Sequence, residues 1–175
     1  MSGSLLIVFL AALLGAGPQS PSPPSSPERN ARAGSNTVDT PHVTITTSVK
    51  AGTPAGGRVA LLIDVTPKPK MHVYSPLQKD YIPVSVTLKA DPAYRAHQPV
   101  FPTPEKFFFA PLKETQLVYS KPFRIVQEVT LSSPSGGAMT IDGTFRYQAC
   151  DDAICYLPKT VPVSWTIAVK ASSMQ

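Results

Sequence analysis

The sequence has little of what a stapled, nucleic-acid-binding or membrane-embedded protein needs. It contains two cysteines in 175 residues, so it can form one intramolecular pair and no disulfide framework. Charged residues make up only 15% of the chain and the net charge is +5, yet there is no basic run. Lys50, Arg58, Lys68, Lys70, Lys79, Lys89, Lys106, Lys113, Lys121 and Lys159 stand singly. Nucleic-acid binding calls for a clustered basic footprint, and isolated lysines are ordinary on solvated strand faces and edges. No nucleic-acid partner is expected. The apolar run Leu5–Leu14 is ten residues long, short of the roughly 20 that a transmembrane helix requires. No cysteine follows it at a lipidation position, which excludes a lipoprotein anchor. Beyond it, no segment carries a convincing helical period.

What is present falls into three parts. The run Leu5–Leu14 leads into the small residues Gly15, Ala16 and Gly17. It reads as the core of a secretory signal over residues 1–17, although no Lys or Arg precedes it. The protein is expected to be periplasmic or otherwise exported, with an amino-terminal membrane anchor as the alternative. Residues 18–36 are rich in Pro and Ser without apolar periodicity and read as a disordered linker. Residues 37–172 read as one folded domain, and 42% hydrophobic residues overall supply a core for it.

Within that domain the period is two. Val43, Ile45, Thr47 and Val49 share one face, as do Val59, Leu61, Ile63 and Val65. The pattern recurs in Val84, Val86 and Leu88, and in Phe123, Ile125, Val129 and Leu131, where Gln127 is the single break. It returns in Met139, Ile141, Gly143, Phe145, Tyr147 and Ala149, and in Val161, Val163, Trp165, Ile167 and Val169. Such alternation marks half-buried antiparallel strands. Six clear strands, with short ones near Met71–Tyr74 and Tyr94–Val100, predict an all-β fold, an immunoglobulin-like antiparallel sandwich. Its usual inter-sheet disulfide is missing, because the two cysteines are too close in sequence to join two sheets.

Phe101–Ser120 breaks the alternation. Phe107, Phe108 and Phe109 are consecutive and flanked by prolines. A strand buries alternate residues, so one of the three is expected to face something other than the core. The segment reads either as a loop packed over the end of the sandwich or as a lid on a site.

Cys150 and Cys155 have four residues between them, Asp151-Asp152-Ala153-Ile154. As a staple the pair is weak. Closing about six residues gives about 2 kcal/mol in the chain-entropy model, against nearly 5 for about 100. In an exported protein a tight solitary pair leans towards redox use, with a structural bond as the alternative. Metal binding would need Cys150 and Cys155 to recruit His72, His42 or Met71, and the second Cys or His pair of a structural zinc site is lacking. Asp151 and Asp152 would raise the thiol pKa if they face it. Otherwise they are solvated loop residues.

The stretch YQACDDAICYLPKTVPV, residues 147–163, resembles the signature of the amino-terminal periplasmic domain of DsbD-type thiol:disulfide interchange proteins. Met71–Pro76 with Tyr81–Leu88 is similar to the family's early strand pair, and Phe101–Glu105 with Lys113–Thr115 and Val118-Tyr119 to its middle region. The resemblance runs over about residues 40–170. It implies an immunoglobulin-like carrier of reducing equivalents, working in electron transfer and cytochrome c biogenesis. Such a carrier takes electrons from a membrane-embedded thiol reductase and gives them to periplasmic thioredoxin-fold proteins. It implies that Cys155 is the nucleophile and Cys150 the resolving thiol. Phe107–Phe109 would then be the cap, with Tyr74, Tyr147, Asp151 and Asp152 as site neighbours. It implies no cofactor beyond the cysteine pair. The family's membrane and thioredoxin domains are not in this sequence, so a stand-alone, monomeric version is expected. The rival expectation is a non-redox adaptor in which the disulfide only clips a loop.

Overall fold

The computed structural model describes residues 35–50, 57–132 and 137–169. The signal of residues 1–17 and nearly all of the linker lie outside the described residues, as does the end of the domain beyond residue 169. The described residues form twelve strands: β1 Asn36–Asp39, β2 Val43–Val49, β3 Arg58–Pro67, β4 His72–Tyr74, β5 Ser85–Leu88 and β6 Tyr94–Ala96, then β7 Glu105–Phe109, β8 Glu114–Tyr119, β9 Phe123–Leu131, β10 Gly137–Tyr147, β11 Ala149–Cys150 and β12 Lys159–Val169. All pairings are antiparallel. Among the described residues no helix is long and apolar enough to cross a membrane.

Three sheets result, ordered β1-β2-β3-β9-β6, β12-β10-β5 and β11-β4-β8-β7. The first two face each other through the alternating residues. Val43, Ile45, Leu61, Ile63, Ile125 and Val129 come from one side, and Ile141, Phe145, Val163, Trp165 and Ile167 from the other, all buried in one core. Trp165 sits opposite Ile141 in the register, and its indole Nε1–H donates to the Leu62 carbonyl at 3.1 Å across the sandwich. This is an immunoglobulin-like antiparallel sandwich, as the period of two requires. Gln127, the break in the β9 pattern, is buried because its amide Nε2 donates to the carbonyls of His97 at 2.6 Å and Glu128 at 3.0 Å. A buried amide is tolerated where its hydrogen bonds are made.

The structure corrects the sequence reading at three places. Asn36, assigned to the linker, belongs to β1 and pairs with Thr47 of β2. The strand expected to run through Ala149 ends at Tyr147, and Ala149 and Cys150 pair instead with Val73 and His72 of β4. Gln148 marks the change of sheet: its Oε1 accepts from the Ile82 backbone N–H at 3.3 Å and its Nε2 donates to the Tyr156 carbonyl at 3.2 Å. Finally, Phe107–Phe109 are not in a loop. They lie in β7, which forms a hairpin with β8. Prolines at 102, 104 and 111 bracket the strand rather than interrupt it, which is where a strand accommodates them.

Candidate functional site

The third sheet has two unlike faces. Val73, Tyr119 and Ala149 join the main core, whereas Tyr74, Val118 and Cys150 form a second buried cluster with Tyr81 and Phe107 packed against it. Alternation along short strands is enough to do this. In β4, His72 and Tyr74 point one way and Val73 the other. Cys150 pairs with His72, and Tyr74 pairs with Val118.

Cys150 and Cys155 are joined by a disulfide, with Cα atoms 4.0 Å apart, and the two residues face each other as an isolated antiparallel bridge. The hairpin between them is tied by Asp151. Its backbone N–H donates to the Ile154 carbonyl at 3.0 Å, and its Oδ1 accepts from the Ala153 and Ile154 backbone N–H groups at 2.8 Å each. Its Oδ2 accepts from the Tyr156 hydroxyl at 2.8 Å. The Ile154 and Ala153 amides, followed by the Tyr156 hydroxyl, hold the Asp151 carboxyl below its ordinary range. Asp151 is thus a fastener of the loop, while Asp152 is exposed. A carboxylate after a loop cysteine can act either way, and only the backbone geometry separates the two roles.

The ends of the disulfide differ in access. Cys150 is fully buried, whereas Cys155 is exposed. Within the second cluster Tyr74 meets both sulfurs. Its Oη lies 3.1 Å from Cys150 Sγ and 3.2 Å from Cys155 Sγ, so one hydroxyl hydrogen is shared between two weak sulfur acceptors. Burial, reinforced by the nearby Tyr81 and Glu114, pushes the Tyr74 pKa well above that of a free phenol. The group is therefore a permanent donor. Tyr81 stacks on its ring at 4.4 Å, and the Tyr81 hydroxyl donates to Glu114 Oε1. The same oxygen accepts from Gln116 Nε2 at 2.7 Å.

His72 is buried beside this cluster, its ring 4.4 Å from that of Phe107 and edge-on to Tyr74 at 6.1 Å. Phe109 is buried, and Phe108 is 62% exposed. The expectation that one of the three phenylalanines faces away from the core therefore holds for Phe108, and Phe107 is the one that packs against the cluster containing Cys150. Tyr147 is not brought to the sulfurs. It is fully buried in the main core, its hydroxyl 2.8 Å from Thr40 Oγ1 and its ring edge-on to His42 at 6.3 Å. As the last residue of β10, before the chain changes sheet, it points into the sandwich.

Sequence reasoning missed Tyr81, Glu114 and Gln116, and considered His72 only as a metal ligand. The usable signal was weak: His72 and Tyr74 share a parity, but nothing in the sequence placed β4 between β11 and β8. Among the described residues no group of three or more His, Cys, Asp or Glu side chains is arranged to hold a metal ion.

Known proteins share the fold. The N-terminal periplasmic domain of ScsB from Proteus mirabilis superposes with a TM-score of 0.56 at 15% identity, over 78% of this chain and 51% of that one. The chain therefore spans about half the length of that structure. The reduced N-terminal domain of DsbD from Neisseria meningitidis aligns with a TM-score of 0.43 at 17% identity, over 73% of this chain and 86% of that one. Among curated proteins none matches. Residues 41–165, a span that takes in strands from each of the three sheets and both cysteines, match the family described as thiol:disulfide interchange protein DsbD, N-terminal, and the chain belongs to that family.

Proposed function

We propose that this chain is an exported thiol–disulfide exchange domain. It relays reducing equivalents from a membrane-embedded thiol reductase to thioredoxin-fold partners through Cys150 and Cys155. The observation that carries the reading is the asymmetry of the bridge: one sulfur belongs to an exposed residue and the other to a fully buried one, with a single phenol against both. An exchange centre needs one sulfur that a partner can reach and a second that only the first can reach. Exposed apolar side chains next to Cys155, Ile154 and Leu157 at 55% and 86%, suit docking of a partner surface. The family's domains include periplasmic ones, which supports export.

In the exchange, the Cys155 thiolate attacks a partner disulfide and displaces the partner's leaving thiolate. The Cys150 thiol then loses its proton and attacks Cys155 Sγ, which closes the bridge and releases the partner fully reduced. Tyr74 donates to sulfur throughout. In the reduced form that hydrogen bond favours a thiolate over a thiol and offsets the unfavourable field of Asp151 and Asp152. The Phe107 ring covers the buried side and would have to move only if a partner approaches over β7.

A redox titration with thiol trapping tests the reading. The pair is expected to cycle with a thioredoxin-like protein at a potential above about −300 mV, the region below which structural bonds lie. A pair that no thioredoxin-like protein can cycle, or one well below that potential, defeats the proposal. Tyr74→Phe removes only the shared donor. It is expected to lower the alkylation rate of the reduced protein near neutral pH about tenfold. An unchanged pH profile of alkylation would show that Tyr74 is packing alone.

A further inference from the structure

Resolution requires a base. Cys150 is fully buried, and burial holds a thiol protonated. Water has no ready path to remove that proton. The residue opposite Cys150 in the β11–β4 register is His72. Directly opposed residues of an antiparallel pair lie on the same face with Cβ atoms about 5 Å apart. His72 is 2% exposed, and its Nε2 is one of the few buried side-chain polar atoms that have no hydrogen-bond partner among the described residues. Buried polar atoms are normally paired, and an orphan calls for an explanation such as a catalytic or redox role.

Building on the exchange reading above, we propose that His72 is the proton acceptor for Cys150: Nε2 receives the Cys150 S–H hydrogen bond in the reduced protein and takes the proton in the resolving step. A disulfide sulfur has no hydrogen to give, so in the oxidised form this nitrogen is left without its donor. In the step itself the bond between Cys155 Sγ and the partner sulfur breaks. The Cys150–Cys155 bond forms, the electron pair leaves with the partner thiolate, and the proton passes from Cys150 to His72. The pair is oxidised and the partner reduced. His72 then returns the proton to the released thiolate or to solvent.

The surroundings suit such a base. Glu105 from β7 and Asp151 and Asp152 from the cysteine loop favour the imidazolium, and Tyr74 on its own strand presents its ring edge-on. Burial outweighs those charges and holds the His72 pKa below its ordinary value, so the ring is neutral at pH 7 and has a nitrogen lone pair free to accept a proton. The Phe107 ring packs against it at 4.4 Å, tilted by 38°.

The test uses dithiobis(nitrobenzoate) as the disulfide and follows two successive releases of the coloured thiolate. The first reports attack by Cys155, the second resolution by Cys150. His72→Gln keeps a hydrogen-bond acceptor but no base. It is expected to slow the second phase roughly 10- to 100-fold at pH 7 and to remove an inflection below about pH 6.5 from its pH profile, with the first phase unchanged. Should the variant fail to fold, the wild-type protein still decides: the His72 Nε2 nitrogen resonance is expected to shift on reduction, and not to shift in Cys150→Ala. A second phase in His72→Gln with the wild-type rate and inflection, or a resonance blind to reduction, overturns this assignment alone. Absence of both releases from the wild-type protein overturns the exchange reading and this one with it.

Discussion

Cys155→Ser is expected to abolish mixed-disulfide trapping with a thioredoxin-fold partner, whereas Cys150→Ser is expected to accumulate the trapped complex. The argument is one of access followed by proximity. A partner sulfur must come within bonding distance, in line with the bond it breaks. Cys155 is exposed, in a hairpin fastened by Asp151, so its sulfur can be met without unfolding anything. Cys150 is fully buried in the cluster of Tyr74 and Val118, so a partner can reach it only by lifting the strand β11 off β4. The same burial makes Cys150 a good resolving group. Once Cys155 carries a partner, Cys150 is a few ångströms away, and its effective concentration is that of an intramolecular neighbour. With Cys150 replaced, that route closes and the mixed disulfide persists. Non-reducing electrophoresis after mixing each reduced variant with an oxidised partner would read the result. Trapping by Cys155→Ser and none by Cys150→Ser would reverse the two roles.

Much of the sandwich was legible because it depends on one pattern. Wherever apolar residues alternate, as in Phe123–Leu131, burying one face leaves only a strand, and β9 has those bounds. The third sheet was harder to read. Its strands are short, β4 having three residues and β11 two, so period-two statistics carry almost no signal. In Glu105–Phe109 three phenylalanines hide the alternation, although the strand does alternate, with Phe107 over His72 and Phe108 exposed. The cysteines could be found by counting. Their neighbours could not, because Tyr81 and Glu114 are 33 residues apart and meet only through the stacking of Tyr81 on Tyr74. Tyr147 shows the opposite error. The family resemblance offered it as a neighbour of the cysteines, but the change of sheet at Gln148 sends the tyrosine into the core.

Trp165→Ala should destabilise the domain by about 3–5 kcal/mol, and opening the disulfide should cost about 2 kcal/mol. The comparison separates a staple from a redox centre without any partner. Trp165 is buried at the middle of β12 among Ile141, Val163 and Ile167, and its indole N–H holds the Leu62 carbonyl of the facing sheet. Removing it leaves a large cavity and takes one hydrogen bond from the Leu62 carbonyl, and the paired sheets around it cannot collapse to fill the space. The disulfide closes a loop of only about six residues, so it restricts the unfolded chain little. Its buried end, Cys150, belongs to the second cluster, apart from the main core. The two effects should therefore add within about 0.5 kcal/mol. Urea unfolding of the wild-type and Trp165→Ala proteins, each oxidised and reduced, supplies all four values. If reduction costs as much as the loss of Trp165, the bridge is holding the fold together. A carrier that passed through its reduced state in every cycle would then give up that stability in every cycle, which argues against the exchange role. A small cost of reduction, equal in both backgrounds, is what a domain needs if it is to keep its shape in both redox states and present the same surface to a donor and an acceptor.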